Sequence, residues 1–322
     1  MSDAIKNITR VAVSAASFVK NAMLVSELRE LGVEVILNPL GHVMTRDELI
    51  HFWRDTNPDA AIVGTELVDA AVLDAAPNLR VIAKYGVGLD NIDEAELSCR
   101  DITLAWTGGV NKRAVSELVL AFALGHFRNA AASIDLMRHG QWVKDGGRQL
   151  SNLRVGIVGF GHVGSDLALL LKAFGSDVVC HDILDKAHEA AKVGARQVSY
   201  DDLLTSADMI TFHVPATALT LGMFGARELA RVKQSALIVN TSRGSVLDFD
   251  ATTQALLRGR IGGLAVDVYP SEPFKLSPEL AACSRLYATP HIGGNTREAV
   301  LAMGRSAIAG IRTFPCTKKV RR

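Results

Sequence analysis

The run "RVGIVGFGHVG" (Arg154–Gly164) decides how the rest of this chain is read. Val155 to Val158 predict a strand, three glycines follow at Gly159, Gly161 and Gly164, and an apolar-periodic stretch from Ser165 to Phe174 predicts a helix. A bare GxGxxG is a weak signal, because glycine-rich turns are common. Between a strand and a helix, each glycine acquires a physical reason. Gly159 permits the tight turn, Gly161 lets backbone approach a pyrophosphate, and Gly164 lets the helix pack on the strand. The helix start, with His162 and Val163, offers unpaired N–H groups and partial positive charge to the phosphates. Asp182 ends the next predicted strand, 18 residues beyond Gly164. A carboxylate there would accept hydrogen bonds from a ribose and repel a 2′-phosphate. No arginine follows in 183–186, which favours NAD over NADP as cofactor.

Outward from this stretch, short β-branched runs alternate with helical patterns along the whole chain. Strands are predicted at Arg10-VAVSA, Val33-EVILN, Ala60-AIVG and Arg80-VIAKYG, with helices near 21–31, 45–54 and 67–76. A long helix is predicted over 113–139. After Arg154 come further strands at Asp177-VVCHD, Met209-ITFHV, Ala236-LIVNTS and Gly263-LAVDVY, and a last helix runs from after Gly294 to about Arg312. Strand–helix alternation implies βαβ units and parallel sheet. The expected fold is α/β, with two doubly wound parallel-sheet domains and a cleft between them. One is a Rossmann cofactor domain over 106–290, and the other a flavodoxin-like substrate domain over 1–105 and 291–322.

Composition excludes several function classes. The chain has 322 residues, 48% hydrophobic and 21% charged, which is globular rather than disordered. Its 35 basic and 34 acidic side chains give a net charge of +1, so no general electrostatic attraction to nucleic acid or anionic membrane is expected. No apolar run approaches the ~20 residues of a membrane span. The four cysteines, Cys99, Cys180, Cys283 and Cys316, form no CxxC pair and read as reduced thiols of a cytoplasmic protein. The terminal Lys318-Lys319-Val320-Arg321-Arg322 run reads as a solvated tail, and no metal site is expected.

Polar clusters at predicted strand ends complete the picture: His213-Val-Pro215, Thr241-Ser242-Arg243-Gly244, Asp267 to Pro273, and Thr289-Pro-His291-Ile-Gly-Gly294. Ligands of open α/β sheets bind outside the carboxyl ends of the strands. Together with KYGVGLDNID (84–93), VGFGHVG (158–164), HVPATALT (213–220), NTSRG (240–244), DVYPSEP (267–273) and TPHIGG (289–294), these clusters resemble the D-isomer-specific 2-hydroxyacid dehydrogenases. The resemblance is closest to the phosphoglycerate dehydrogenase branch and spans about residues 38–311. It implies a catalytic set of Arg243, Glu272 and His291. It also implies cofactor contacts from Pro215, Thr241, Ser242, Asp267 and Gly294, and a substrate carboxylate held by Arg243 and the backbone of Gly86, Val87 and Gly88. The family habit is a homodimer formed through the cofactor domains.

Physical chemistry assigns the roles. Arg243 offers a planar, permanently charged fork for carboxylate and carbonyl oxygens. His291 would exchange a proton with the reacting oxygen, and Glu272 beside it would orient the ring and favour its charged form. The chain departs from the phosphoglycerate pattern in two places. No regulatory domain is expected after the last helix, and Val63-Gly64-Thr65-Glu66 carries a carboxylate where a phosphate-binding arginine is expected. Lys112, Arg113, Trp142 and Lys144 are weaker candidates for contact with an anionic substrate or a partner chain. The leading reading is an NAD-dependent 2-hydroxyacid dehydrogenase. The alternatives are a hydroxypyruvate- or glyoxylate-type reductase of the same family, or a non-catalytic NAD-sensing protein of the corepressor kind.

Overall fold

A computed structural model describes residues 8–314; Cys316 and the basic run from Lys318 lie outside the described residues. The chain divides into two compact units. One takes the chain up to Asn111 and again from Arg297, and the other is Lys112–Thr296.

The first unit is built on five strands, β1 (Arg10–Val13), β2 (Glu34–Leu37), β3 (Ala60–Val63), β4 (Val81–Lys84) and β5 (Thr103–Ala105). They lie in the order β2-β1-β3-β4-β5, all parallel. Strand side chains alternate between faces, and both faces are covered. Val11 and Val13 join Met303, Ala307 and Ile308 of the helix Arg297–Arg312. Ala12 faces the other way, with Leu49, Phe52 and Trp53 of the helix Arg46–Thr56. Burial on both faces is why these strands read as continuous apolar runs.

The second unit has seven parallel strands, β6 (Arg154–Val158), β7 (Asp177–His181), β8 (Ala195–Gln197), β9 (Met209–Phe212), β10 (Leu237–Asn240), β11 (Gly263–Val266) and β12 (Leu286–Ala288). Their order is β12-β11-β10-β9-β6-β7-β8. The chain winds outward from β6 in both directions, so the topological switch point lies between β6 and β9. Val155 and Ile157 pack with Leu167 and Leu171 of the helix His162–Phe174 and with Val119 and Phe122 of Lys112–Phe127. Val158 and Ile210 face Leu203 and Leu256 on the opposite side.

Three details differ from the periodicity. The helix expected over 113–139 is two, Lys112–Phe127 and Ala130–Arg138. Asn129 between them takes φ 50°, a left-handed conformation asparagine tolerates, and the Phe127 carbonyl accepts the Arg148 N–H at 2.6 Å. The helix expected from Ser165 begins at His162, directly after Gly161. The segment 291–296 falls in the second unit, because the N–H groups of Ile292 and Gly293 donate to Asp267 at the end of β11. Among the described residues no helix is long and apolar enough to cross a membrane.

In the helix Lys112–Phe127, His126 packs edge-on against Tyr287 and Phe127. Burial, aided by the charge of Arg285, pushes its pKa from 6.5 down to about 4. Between those values the native protein binds fewer protons at this site than the unfolded chain. Stability therefore falls as pH drops through that window. Urea titrations at pH 7 and pH 5 should show His126→Gln losing less stability over the interval than wild type, by roughly 1–2 kcal/mol. Equal losses would mean that His126 titrates normally in the folded protein.

Candidate active site

The second unit's site follows from the ends of its strands. At the switch point Gly159 has φ +91°, and a Cβ there would lie 2.5 Å from the carbonyl oxygen of His213, after β9. A Cβ on Gly164 would lie 2.2 Å from the Gly159 carbonyl oxygen. The protein's own packing therefore requires both glycines. Gly161 differs, since a Cβ there would meet nothing within 4 Å. Among the described residues no N-cap side chain bonds the helix that begins at His162, so its first N–H groups are open for an anion. Asp182, just past β7, accepts the Phe160 N–H at 2.7 Å and the Leu184 N–H at 3.0 Å. The ribose-binding candidate thus abuts the glycine turn. Beyond β10, the Thr241 hydroxyl is buried without a hydrogen-bond partner among the described residues. An open glycine, a bare helix start, an adjacent carboxylate and an unused hydroxyl fit a dinucleotide. Pro215 is exposed beyond β9.

The three residues expected to be catalytic leave adjacent strands. Asn240, Val266 and Ala288 end β10, β11 and β12 in matched register, Asn240 opposite Val266 and Val266 opposite Ala288. After β10, buried Asn240 staples the turn. Its Nδ2 donates to the Arg243 carbonyl at 2.8 Å, and its Oδ1 accepts the Ser242 N–H and hydroxyl. Arg243 Nη1 donates to the Ser242 carbonyl at 2.7 Å. A Cβ on Gly244 would sit 2.0 Å from the Tyr269 carbonyl group, so this turn lies directly against the loop after β11.

That loop supplies Glu272, whose Oε2 lies 2.7 Å from His291 Nδ1. The ring is half exposed, and among the described residues its Nε2 makes no hydrogen bond. Exposed ion pairs add little stability, so the worth of this one is positional. His291 takes φ 53°, a left-handed conformation that a non-glycine residue adopts at a cost. Asp267 holds it there. Only 1% exposed, its carboxylate accepts the Thr289 hydroxyl and the N–H groups of Ile292 and Gly293, at 2.6 to 2.8 Å. Asp267 was expected at the cofactor; its observed contacts are with the His291 loop, a role the spacing alone did not reveal. Asn240 was likewise missed, although an Asx side chain at a strand exit is a known turn signal.

His213, just past β9, is a poor proton carrier. Its Nε2 lies 3.0 Å from the Thr211 hydroxyl, and burial pushes its pKa down to about 3, so it stays neutral. Arg113 forms a two-pronged pair with Asp166, both contacts at 2.9 Å. Burial alone would raise that carboxyl, but the guanidinium outweighs it and holds Asp166 below the usual range. Gly86, Val87 and Gly88 belong to the first unit, beyond β4, where the Val87 carbonyl accepts the Trp106 indole N–H at 2.9 Å. Among the described residues no cluster of His, Cys, Asp and Glu could hold a metal.

Residues 120–293 match the model of the D-isomer-specific 2-hydroxyacid dehydrogenase NAD-binding domain. A glyoxylate reductase of Thermococcus litoralis is 37% identical over 244 residues, 73% of each chain. A D-3-phosphoglycerate dehydrogenase of Archaeoglobus fulgidus is 34% identical over 281 residues, 86% of this chain but only 52% of that protein. Among solved structures, a glyoxylate reductase from Paecilomyes thermophila superposes with a TM-score of 0.82 at 26% identity, covering 95% of both chains.

The contrast between the glycines is testable. Gly161→Ser adds a side chain in open space at a position where serine caps well, so the melting temperature should hold while NADH binding weakens by about tenfold or more. Gly164→Val should destabilise the protein itself. Unchanged NADH affinity in Gly161→Ser, read by fluorescence titration, would reduce the turn to a structural element.

Proposed function

Because this chain belongs to the D-isomer-specific 2-hydroxyacid dehydrogenase family, we propose that it moves a hydride between NAD(H) and a small D-2-hydroxy acid or the matching 2-oxo acid. The observation that carries this reading is the 2.7 Å contact between Glu272 and His291 Nδ1, with Nε2 left for a substrate oxygen. The bound cofactor supplies the hydride chemistry that no side chain can. Gly159 to Gly164 and the helix start hold its pyrophosphate, and Asp182 selects its unphosphorylated ribose. Arg243 binds the substrate's carboxylate and polarises its carbonyl. His291 gives a proton from Nε2 to the forming hydroxyl during reduction and takes it back during oxidation. Glu272 fixes the ring so that Nε2 points at that oxygen. The Gly86–Val87–Gly88 turn is the first unit's candidate for the substrate carboxylate.

Between the two kinds of relative, Glu66 favours the unphosphorylated substrate. It is 2% exposed, accepts the Gly64 N–H at 2.6 Å, and burial raises its pKa. A carboxyl at this position, unlike a guanidinium, offers a phosphate no positive charge. We also assign the helix Ala130–Arg138 to a homodimer interface. None of its residues is buried, Ile134 and Met137 are more than half exposed, and Trp142 just beyond is 77% exposed. A monomer in sedimentation velocity would remove this assignment. The unpaired thiols of Cys99, Cys180 and Cys283 suit the cytoplasm.

A panel of 2-oxo acids tested for NADH consumption separates an enzyme from a cofactor-sensing protein of the same architecture. With the best substrate, His291→Asn should bind NADH normally and lose turnover by about 10²–10⁴-fold. Turnover near wild type in this variant would remove His291 from the chemistry.

A further inference from the structure

We propose that Tyr269 is the positioning residue that keeps Glu272 and His291 in register, by holding both partners at once. Its backbone N–H donates to Glu272 Oε1 at 3.1 Å, while Glu272 Oε2 meets His291. At its other end, the Tyr269 hydroxyl donates to the Thr289 carbonyl at 2.9 Å. That same carbonyl accepts the backbone N–H of His291 at 3.1 Å. The contacts close a ring that runs from the Tyr269 N–H through the Glu272 carboxylate and the His291 imidazole to the His291 backbone, the Thr289 carbonyl and the Tyr269 hydroxyl. Asp267 ties the same two loops through the Thr289 hydroxyl and the N–H groups of Ile292 and Gly293.

Tyr269 is itself fixed. Its ring stacks on Phe274 at 4.8 Å with 8° between the planes, and Phe249 packs edge-on against both. Gly244, next to Arg243, lies against its carbonyl. All three loops that carry the candidate catalytic residues therefore meet this one residue. Burial, and then the charges of Asp267 and Glu272, raise the hydroxyl's pKa, so it remains a neutral donor through the working range. The ring contact matters because His291 sits in a left-handed conformation. Such a residue keeps its geometry only where its surroundings over-determine it.

This inference rests on the acid/base reading of His291. Tyr269→Phe is the informative variant, because it keeps the ring stack and the backbone N–H and removes one hydrogen bond. NADH affinity and melting temperature should stay near wild type. We expect kcat to fall about three- to tenfold, the scale of a single hydrogen bond. The pH profile of reduction should also change, because the freed Thr289–His291 segment brings the imidazole less closely to the Glu272 carboxylate. A readout independent of turnover is the ¹⁵N signal of the His291 ring in the free enzyme. Its Nδ1–H tautomer should be less populated in Tyr269→Phe. Wild-type kcat, pH profile and tautomer in the variant would overturn the proposal. So would a loss of activity that merely tracks lost NADH binding or stability. If His291→Asn retains turnover, the acid/base reading fails instead, and the two failures are told apart.

Discussion

The carboxylate of Asp267 is the contact on which the site depends. It lies at the end of β11, is almost wholly buried, and gathers the Thr289 hydroxyl and two consecutive backbone N–H groups from the loop after β12. An uncompensated buried carboxylate would be expensive. Here the loop itself provides the compensation, so the loop has little freedom to be elsewhere. His291 is thereby fixed in a backbone conformation it would not choose alone. The parallel register of β10, β11 and β12 brings three loop starts side by side, and Glu272 reaches the imidazole from the neighbouring one. Position is set by the sheet and the backbone conformation by Asp267, while Glu272 meets Nδ1 of the ring.

The same sheet serves the cofactor by a different device. At the switch point beside β6, Gly159 and Gly164 lack side chains where protein backbone meets protein backbone, whereas a Cβ on Gly161 would meet nothing within 4 Å. The helix start contributes partial positive charge through its backbone N–H groups. The candidate acid/base pair lies elsewhere on the sheet, on the loops after β11 and β12. His213, whose carbonyl lies against Gly159, is held neutral by burial.

Much of this was legible in the sequence. The buried strands announced themselves as β-branched runs, and the glycine spacing was decisive because a strand preceded it and a helix followed. Arg243, Glu272 and His291 could be picked out from motifs at strand exits. Other features were invisible for physical reasons. β5 and β8 are three-residue edge strands, too short for a periodic pattern. The break at Asn129 costs the helical pattern nothing in hydrophobicity. Asp267 gave no sign of which donors it would meet, since its partners lie 22 to 26 positions later. Tyr269 read as part of a polar turn, because its two roles use a backbone N–H that every residue has and a hydroxyl whose partner only the fold brings near.

The central claim is that Glu272 and His291 act as one acid/base unit. Its most direct test is kcat/KM against pH, in both reaction directions, for wild type and Glu272→Gln, with chemistry shown to be rate-limiting. The neutral amide no longer carries the charge that meets the ring. Both profiles should therefore differ from wild type, with kcat/KM lowered in reduction and in oxidation alike. Profiles that overlay those of wild type in both directions would contradict the account.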